Sequence, residues 1–151
     1  MNKAAFIVVG DPVAKGRSKH RTITMKDGRQ FNQEYTPAKT RNYEQTVRLE
    51  YERQVGYTFP TDAALAMKVI VFKRIPQSMT KKNRARAGSG ELRPGKKPDI
   101  SNVIKSIEDG LNGVAYHDDN QIVDQHGIEW YAENPRVEVE ISVVGDRKSV
   151  V

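Results

Sequence analysis

The chain contains no cysteine. Disulfides, thiolate zinc sites and thiol nucleophiles are therefore excluded from its chemistry. Wholly apolar aromatics and tryptophan are scarce, with one Trp and four Phe in 151 residues, so any core must be modest. Long apolar runs are missing as well. Ala4-Ala5-Phe6-Ile7-Val8-Val9 is too short for a signal-peptide core or a membrane span, and a soluble cytoplasmic protein is expected. The three histidines, His20, His117 and His126, show no metal-ligand spacing and read as surface or half-buried residues. Lys15-Gly16-Arg17 lacks the spacing of a phosphate loop, and Gly88-Ser89-Gly90 opens no helix.

What the chain has in quantity is charge. The formal net charge is +6, and the mean hydropathy is −0.68. The distribution is uneven. Residues 15–29 carry Lys15, Arg17, Lys19, Arg21, Lys26 and Arg29 against Asp27, a net +5. Residues 73–97 carry Lys73, Arg74, Lys81, Lys82, Arg84, Arg86, Arg93, Lys96 and Lys97 against Glu91, a net +8. The remainder is left at −7. Two basic segments on an acidic body suit a phosphate backbone, where bound cations release condensed counterions. A solvated basic loop is the plainer reading of either segment alone. The candidate nucleic-acid contacts are Lys15, Arg17, Lys19, Lys81, Lys82, Arg84, Arg86, Lys96 and Lys97.

The length predicts one domain spanning residues 1–151. The pattern predicts an α+β fold, a mainly antiparallel sheet with two helices. Lys3–Val9 reads as a strand. Lys26-Asp27-Gly28-Arg29 between Thr22–Met25 and Gln30–Tyr35 is a hairpin signal. Thr36-Pro37 opens a helix, with Thr36 as N-cap, Tyr43, Val47, Tyr51 and Val55 as its apolar stripe, and Gly56 as its stop. Leu65–Arg74 reads as a buried strand. Val137, Val139, Ile141 and Val143 alternate with polar residues as a strand with one wet face. Residues 75–97 read as a flexible basic loop, an arm able to order on DNA. The tail, 146–151, is expected to fray.

The strongest helix follows that loop. Ile100, Val103, Ile104, Ile107 and Leu111 share one face, and Gly113 marks the stop. Asp99 precedes the first turn, while Ser101 and Lys105 share another face. The turn Tyr116-His117-Asp118-Asp119-Asn120-Gln121 comes next. Taken singly these are a helix N-cap, a solvated lysine and a polar turn. Carboxylates gathered in a strongly basic chain point further, because a divalent cation lets acids and phosphates share one site and can activate water. A metal-dependent nuclease is the leading expectation.

Lys97, Pro98, Asp99, Asn102 and Lys105, then Asp109, Leu111, Asn112 and Gly113, then Asp118, Asp119, Gln121, Ile122 and Val123 carry a known pattern. The stretch resembles the RusA family of endodeoxyribonucleases, which resolve Holliday junctions. The segment Gly10 to Arg17 is similar to that family's early basic motif. The resemblance implies a homodimer that cuts opposing strands of a four-way junction symmetrically, with Mg²⁺ or in its place Mn²⁺ as cofactor. It implies Asp99 and Asp119 as metal ligands, Asp118 as an assisting neighbour and Lys105 near the scissile phosphate. The family's habit of residing in mobile DNA implies a phage or prophage origin.

Ser101 stands where the family has a second aspartate. Three consequences are open. Ser101 holds a metal-bound water in a weaker site; Glu108, Asp109 or Asp124 substitutes; or the protein binds junctions without cutting them. A partner-binding protein with basic arms is a third, more distant reading of the chain.

Overall fold

The computed structural model describes residues 1–147. Residues 148–151 of the expected frayed tail lie outside the described residues. The elements run β1 (Lys3–Val9), β2 (Lys19–Thr24), β3 (Gln30–Tyr35), α1 (Ala38–Gln54), β4 (Ala63–Arg74), α2 (Lys81–Gly88), α3 (Ile100–Leu111), a 3₁₀ turn (Asp119–Gln121), β5 (Ile122–Ala132) and β6 (Arg136–Asp146). The α+β expectation holds, with two additions. The described residues hold three helices where two were expected, because the basic segment 75–97 contains α2. The sheet is mixed, since β5 runs parallel to β4.

The main sheet has the order β1-β6-β4-β5, with antiparallel pairs β1/β6 and β4/β6. Strand alternation sends Phe6, Val8, Leu65, Met67, Val69, Val71, Val137, Val139 and Ile141 to one face, where all are buried. On that face lie Tyr43, Val47 and Tyr51 of α1 and Val103, Ile104, Ile107 and Leu111 of α3. The two helices cross closely at Gly110. A Cβ there would sit 2.9 Å from the Glu44 carbonyl and 3.1 Å from Val47. At the sheet edge, Gly127 gives Ile100 and Ile104 a bare strip of β5 to rest on.

The basic hairpin β2/β3 forms a separate two-stranded sheet, mostly exposed. Gly28 turns it at φ +89°, and the Asp27 carboxylate accepts from the Arg29 amide at 3.0 Å. Helix α1 starts one residue later than Thr36 predicts. Pro37 occupies the N-cap, without a side-chain cap. Gly56 ends that helix at φ +72°, a conformation that glycine adopts without strain. Helix α2 begins at Thr80, whose hydroxyl accepts from the Asn83 amide. Its polar sequence buries only Ala87, so no apolar stripe announced it.

Candidate active site

The site is organised by α3, which offers a buried apolar stripe and an exposed polar edge. Its approach is fixed by an inward-facing lysine. Lys73 continues the alternation of Leu65, Met67, Val69 and Val71, so it points into the protein and is 9% exposed. Its ammonium donates to the carbonyls of Lys96 at 2.6 Å and Pro98 at 2.5 Å. It also pairs with Glu129 of β5 at 3.0 Å. A buried ammonium needs this full set of partners. The clamp sets the turn that delivers Asp99 to the head of α3, where the Lys97–Pro98 bond is cis. Asp99 occupies the N-cap position, yet its side chain makes no cap hydrogen bond and is exposed. Ser101 is exposed in the first turn.

Further along the helix, Lys105 reaches Asp119 at 3.0 Å and Asp109 at 3.1 Å. Asp109 in turn meets Lys15 at 3.0 Å, and Lys15 meets Glu44 of α1 at 2.6 Å. Charges therefore alternate along Asp119, Lys105, Asp109, Lys15 and Glu44, tying the 3₁₀ turn, α3, the N-terminal loop and α1 together. The Asp119 hydrogen bond, helped by Asp109 and opposed by desolvation, holds the Lys105 ammonium above its ordinary pKa. Desolvation works against Lys15, and hydrogen bonds to Glu44 and Asp109 outweigh it.

Beneath this row lies Glu108, 8% exposed. Burial, with the neighbouring negative charges of Asp119 and Asp109, pushes its carboxyl up to about 7 against the opposing pull of Lys105. The Gln125 amide of β5 donates to it.

The turn that carries Asp119 is built by its neighbours. The Asp118 carboxylate accepts from the Asn120 amide at 2.9 Å, and the Gln121 side chain accepts from the Asp118 amide at 3.3 Å, a capping box. The Asn120 hydrogen bond, with help from Asp119, draws the Asp118 pKa down. Gln121 is fully buried and donates to the carbonyls of Pro60 at 2.9 Å and Ala63 at 3.2 Å. Asp118 and Gln121 thus hold the turn, leaving Asp119 to face Lys105.

Of the sequence-predicted site residues, Lys105 and Asp119 meet directly. Asp99 and Ser101 share the first turn of α3, and Asp118 caps the 3₁₀ turn. Among the described residues no group of three or more His, Cys, Asp or Glu side chains forms a ready metal cluster. The donor chemistry still fits a hard cation, since Asp99 and Asp119 present carboxylate oxygens. Magnesium takes one or two carboxylates plus substrate phosphates and keeps its remaining waters, so a closed protein cage is not required of the site.

The basic residues divide. Arg17, Lys19, Lys81, Lys82, Lys96 and Lys97 are exposed. Arg84 donates to the Pro76 carbonyl at 3.0 Å and pairs with Glu133 at 3.5 Å. Arg86 pairs with Glu91 at 3.2 Å. Lys15 is committed to Glu44 and Asp109. The sequence reading assigned no role to Lys73, Glu129 or Glu44. Only Lys73 left a trace, as the inward member of an alternating strand.

An open sheet backed by helices thus carries Asp99 at the head of α3 and the Lys105, Asp109 and Asp119 row further along it, with exposed basic segments elsewhere in the same chain. The endodeoxyribonuclease RusA family matches residues 10–142. YqaN of Bacillus subtilis (strain 168), described as an uncharacterized protein, is 36% identical over 146 residues, covering 95% of this chain and 99% of that protein. The chain belongs to the RusA endodeoxyribonuclease family. Among the described residues no helix is long and apolar enough to cross a membrane.

Proposed function

We propose that this protein is a divalent-metal-dependent endodeoxyribonuclease that cuts four-way DNA junctions as a homodimer, with Mg²⁺ or Mn²⁺ as cofactor. The observation that carries the reading is the Lys105–Asp119 pair at 3.0 Å, on the helix whose N-cap residue, Asp99, has a carboxylate that does not cap it. Asp99 and Asp119 would hold the cation, with the Ser101 hydroxyl in the same helical turn as Asp99. The bound cation supplies Lewis-acid polarisation of the phosphoryl group and a water of lowered pKa. Lys105 sets a positive charge where phosphorane charge develops. Asp118 keeps the turn rigid, and the exposed cations of β2 and α2, with Lys96 and Lys97, hold the strands.

One observation favours a second reading. Ser101 removes one negative charge from the place where the family carries an acid, which weakens cation binding. The second reading is a junction-binding protein with reduced or lost cutting. A synthetic four-way junction in Mg²⁺ separates the two. Paired symmetric nicks by the natural chain, abolished in Asp119→Asn with binding kept, support the nuclease. Cutting by Ser101→Asp alone supports the binder. Absence of junction binding in both proteins defeats both readings.

A further inference from the structure

Beside Asp99 lies a cavity of about 290 Å³ that the chemistry above does not use. Its walls include four prolines, Pro12, Pro76, Pro94 and Pro98, and the ring of Tyr131. Lys73 lies in its wall, already committed to the Lys96 and Pro98 carbonyls and to Glu129. Arg74, Lys96 and Lys97 line it as well, together with Asp11, which pairs with Arg74 at 3.4 Å. The lining thus combines proline and tyrosine side chains with several cations. The volume is just under the range of about 300–1,000 Å³ found for small-molecule sites, which suits one ring system.

We propose that this cavity receives a single unstacked nucleobase of the DNA strand whose phosphate lies at Asp99. The inference rests on the junction-nuclease reading and adds a site to it. Three features argue for a base. Tyr131 offers an aromatic face, and bases stack on such faces whatever their sequence. Lys96 and Lys97 line the cavity and are exposed, so their charges are available to the phosphates that flank an extruded nucleotide. Pro98 is both a wall of the cavity and the residue before Asp99, so a seated base fixes the register of the adjoining phosphate. Asp11 and Arg74 add an acceptor and a donor that can read a base edge.

The test uses the full-length chain and four-way junctions carrying one 5-iododeoxyuridine at successive positions around the crossover. Retention of the junction is measured in EDTA, the complex is irradiated, and crosslinked residues are mapped by mass spectrometry. The expected result is a crosslink at Tyr131 from one or two positions next to the crossover. Tyr131→Phe keeps it. Tyr131→Leu loses it, weakens junction binding about 5- to 150-fold, the range of one base stacked on an aromatic ring, and leaves the thermal transition in place. Junction retained with crosslinks elsewhere, for instance at Phe31 or Tyr35 of the hairpin, overturns the pocket and leaves the nuclease reading standing. A polyproline peptide that protects Tyr131 from nitration where the junction does not reassigns the cavity and also overturns it. No junction retention overturns both.

Discussion

The Lys73 ammonium donates to the Pro98 carbonyl at 2.5 Å, one residue before Asp99. A buried charge on β4 thus sets where the first acid of the candidate site stands. Replacing Lys73 by Met leaves Glu129 half-sealed and unpaired and frees the turn. Removing one partner of a buried pair costs about 3–5 kcal/mol. Urea denaturation of Lys73→Met should show a loss in that range. Lys73→Met combined with Glu129→Met should recover much of the stability. Junction cutting should stay depressed in both, because the Lys96 and Pro98 carbonyls have lost their donor.

Lys15 and Lys97 both look like phosphate contacts in the sequence, but their surroundings differ. Lys15 is spent on Glu44 at 2.6 Å and Asp109 at 3.0 Å, whereas Lys97 is exposed. Lys97→Ala should lower the slope of log affinity against log salt by about 1, the loss of one phosphate contact. Lys15→Met should leave that slope unchanged and lower the melting temperature. Filter binding between 50 and 200 mM salt, with a thermal melt of each variant, distinguishes the two.

Glu108 makes stability depend on pH in a defined sense. Its folded-state pKa, about 7, is above the ordinary 4.5, so the folded protein binds the proton more tightly than the unfolded chain. The stabilisation is therefore complete below about 4.5 and is lost as pH rises through about 7. At about 1.4 kcal/mol per pKa unit, the Glu108 contribution falls by on the order of 3 kcal/mol across that window. Glu108→Gln should flatten this part of the profile while keeping a partner for Gln125. Denaturant midpoints measured at half-unit pH steps read the slope directly.

Gly127 is a spacer under the head of α3. A Cβ there would lie 2.6 Å from Ile104 Cδ1 and 3.0 Å from Ile100 Cδ1. Gly127→Val should cost about 1–3 kcal/mol by overpacking. It should also reduce cutting, since Ile100 is the residue after Asp99. Gly127→Ala should be milder, because the ends of two isoleucines can give way. An undiminished melting temperature in Gly127→Val would show that α3 does not rest on this strip.

Much of the architecture was legible in the sequence because it is encoded locally. The alternation of Val137, Val139 and Ile141, the Asp27-Gly28 turn and the stripe from Ile100 to Leu111 each depend on neighbours a few residues apart, and each formed the expected element. Helix α2 was missed because its stability leans on a Thr80 cap and a single buried Ala87 rather than on a stripe. The strand that follows the acidic turn and carries Trp130 was expected, but β5 lies at the open edge of the sheet, where its burial pattern does not alternate.

The sequence by itself determined most of the secondary elements, the basic segments and the residues that mark the family, since periodicity, turn chemistry and charge all act over short stretches of chain. Tertiary structure decided how those residues are used. It turned Lys73 inward to hold the approach to Asp99, committed Lys15 to an internal ion-pair row and set Lys105 against Asp119 across 14 residues of sequence. It also gave Asp118 and Gln121 the task of building the turn. These assignments depend on which helix crosses which strand and how closely, and such contacts between distant residues exist only once the apolar faces have packed.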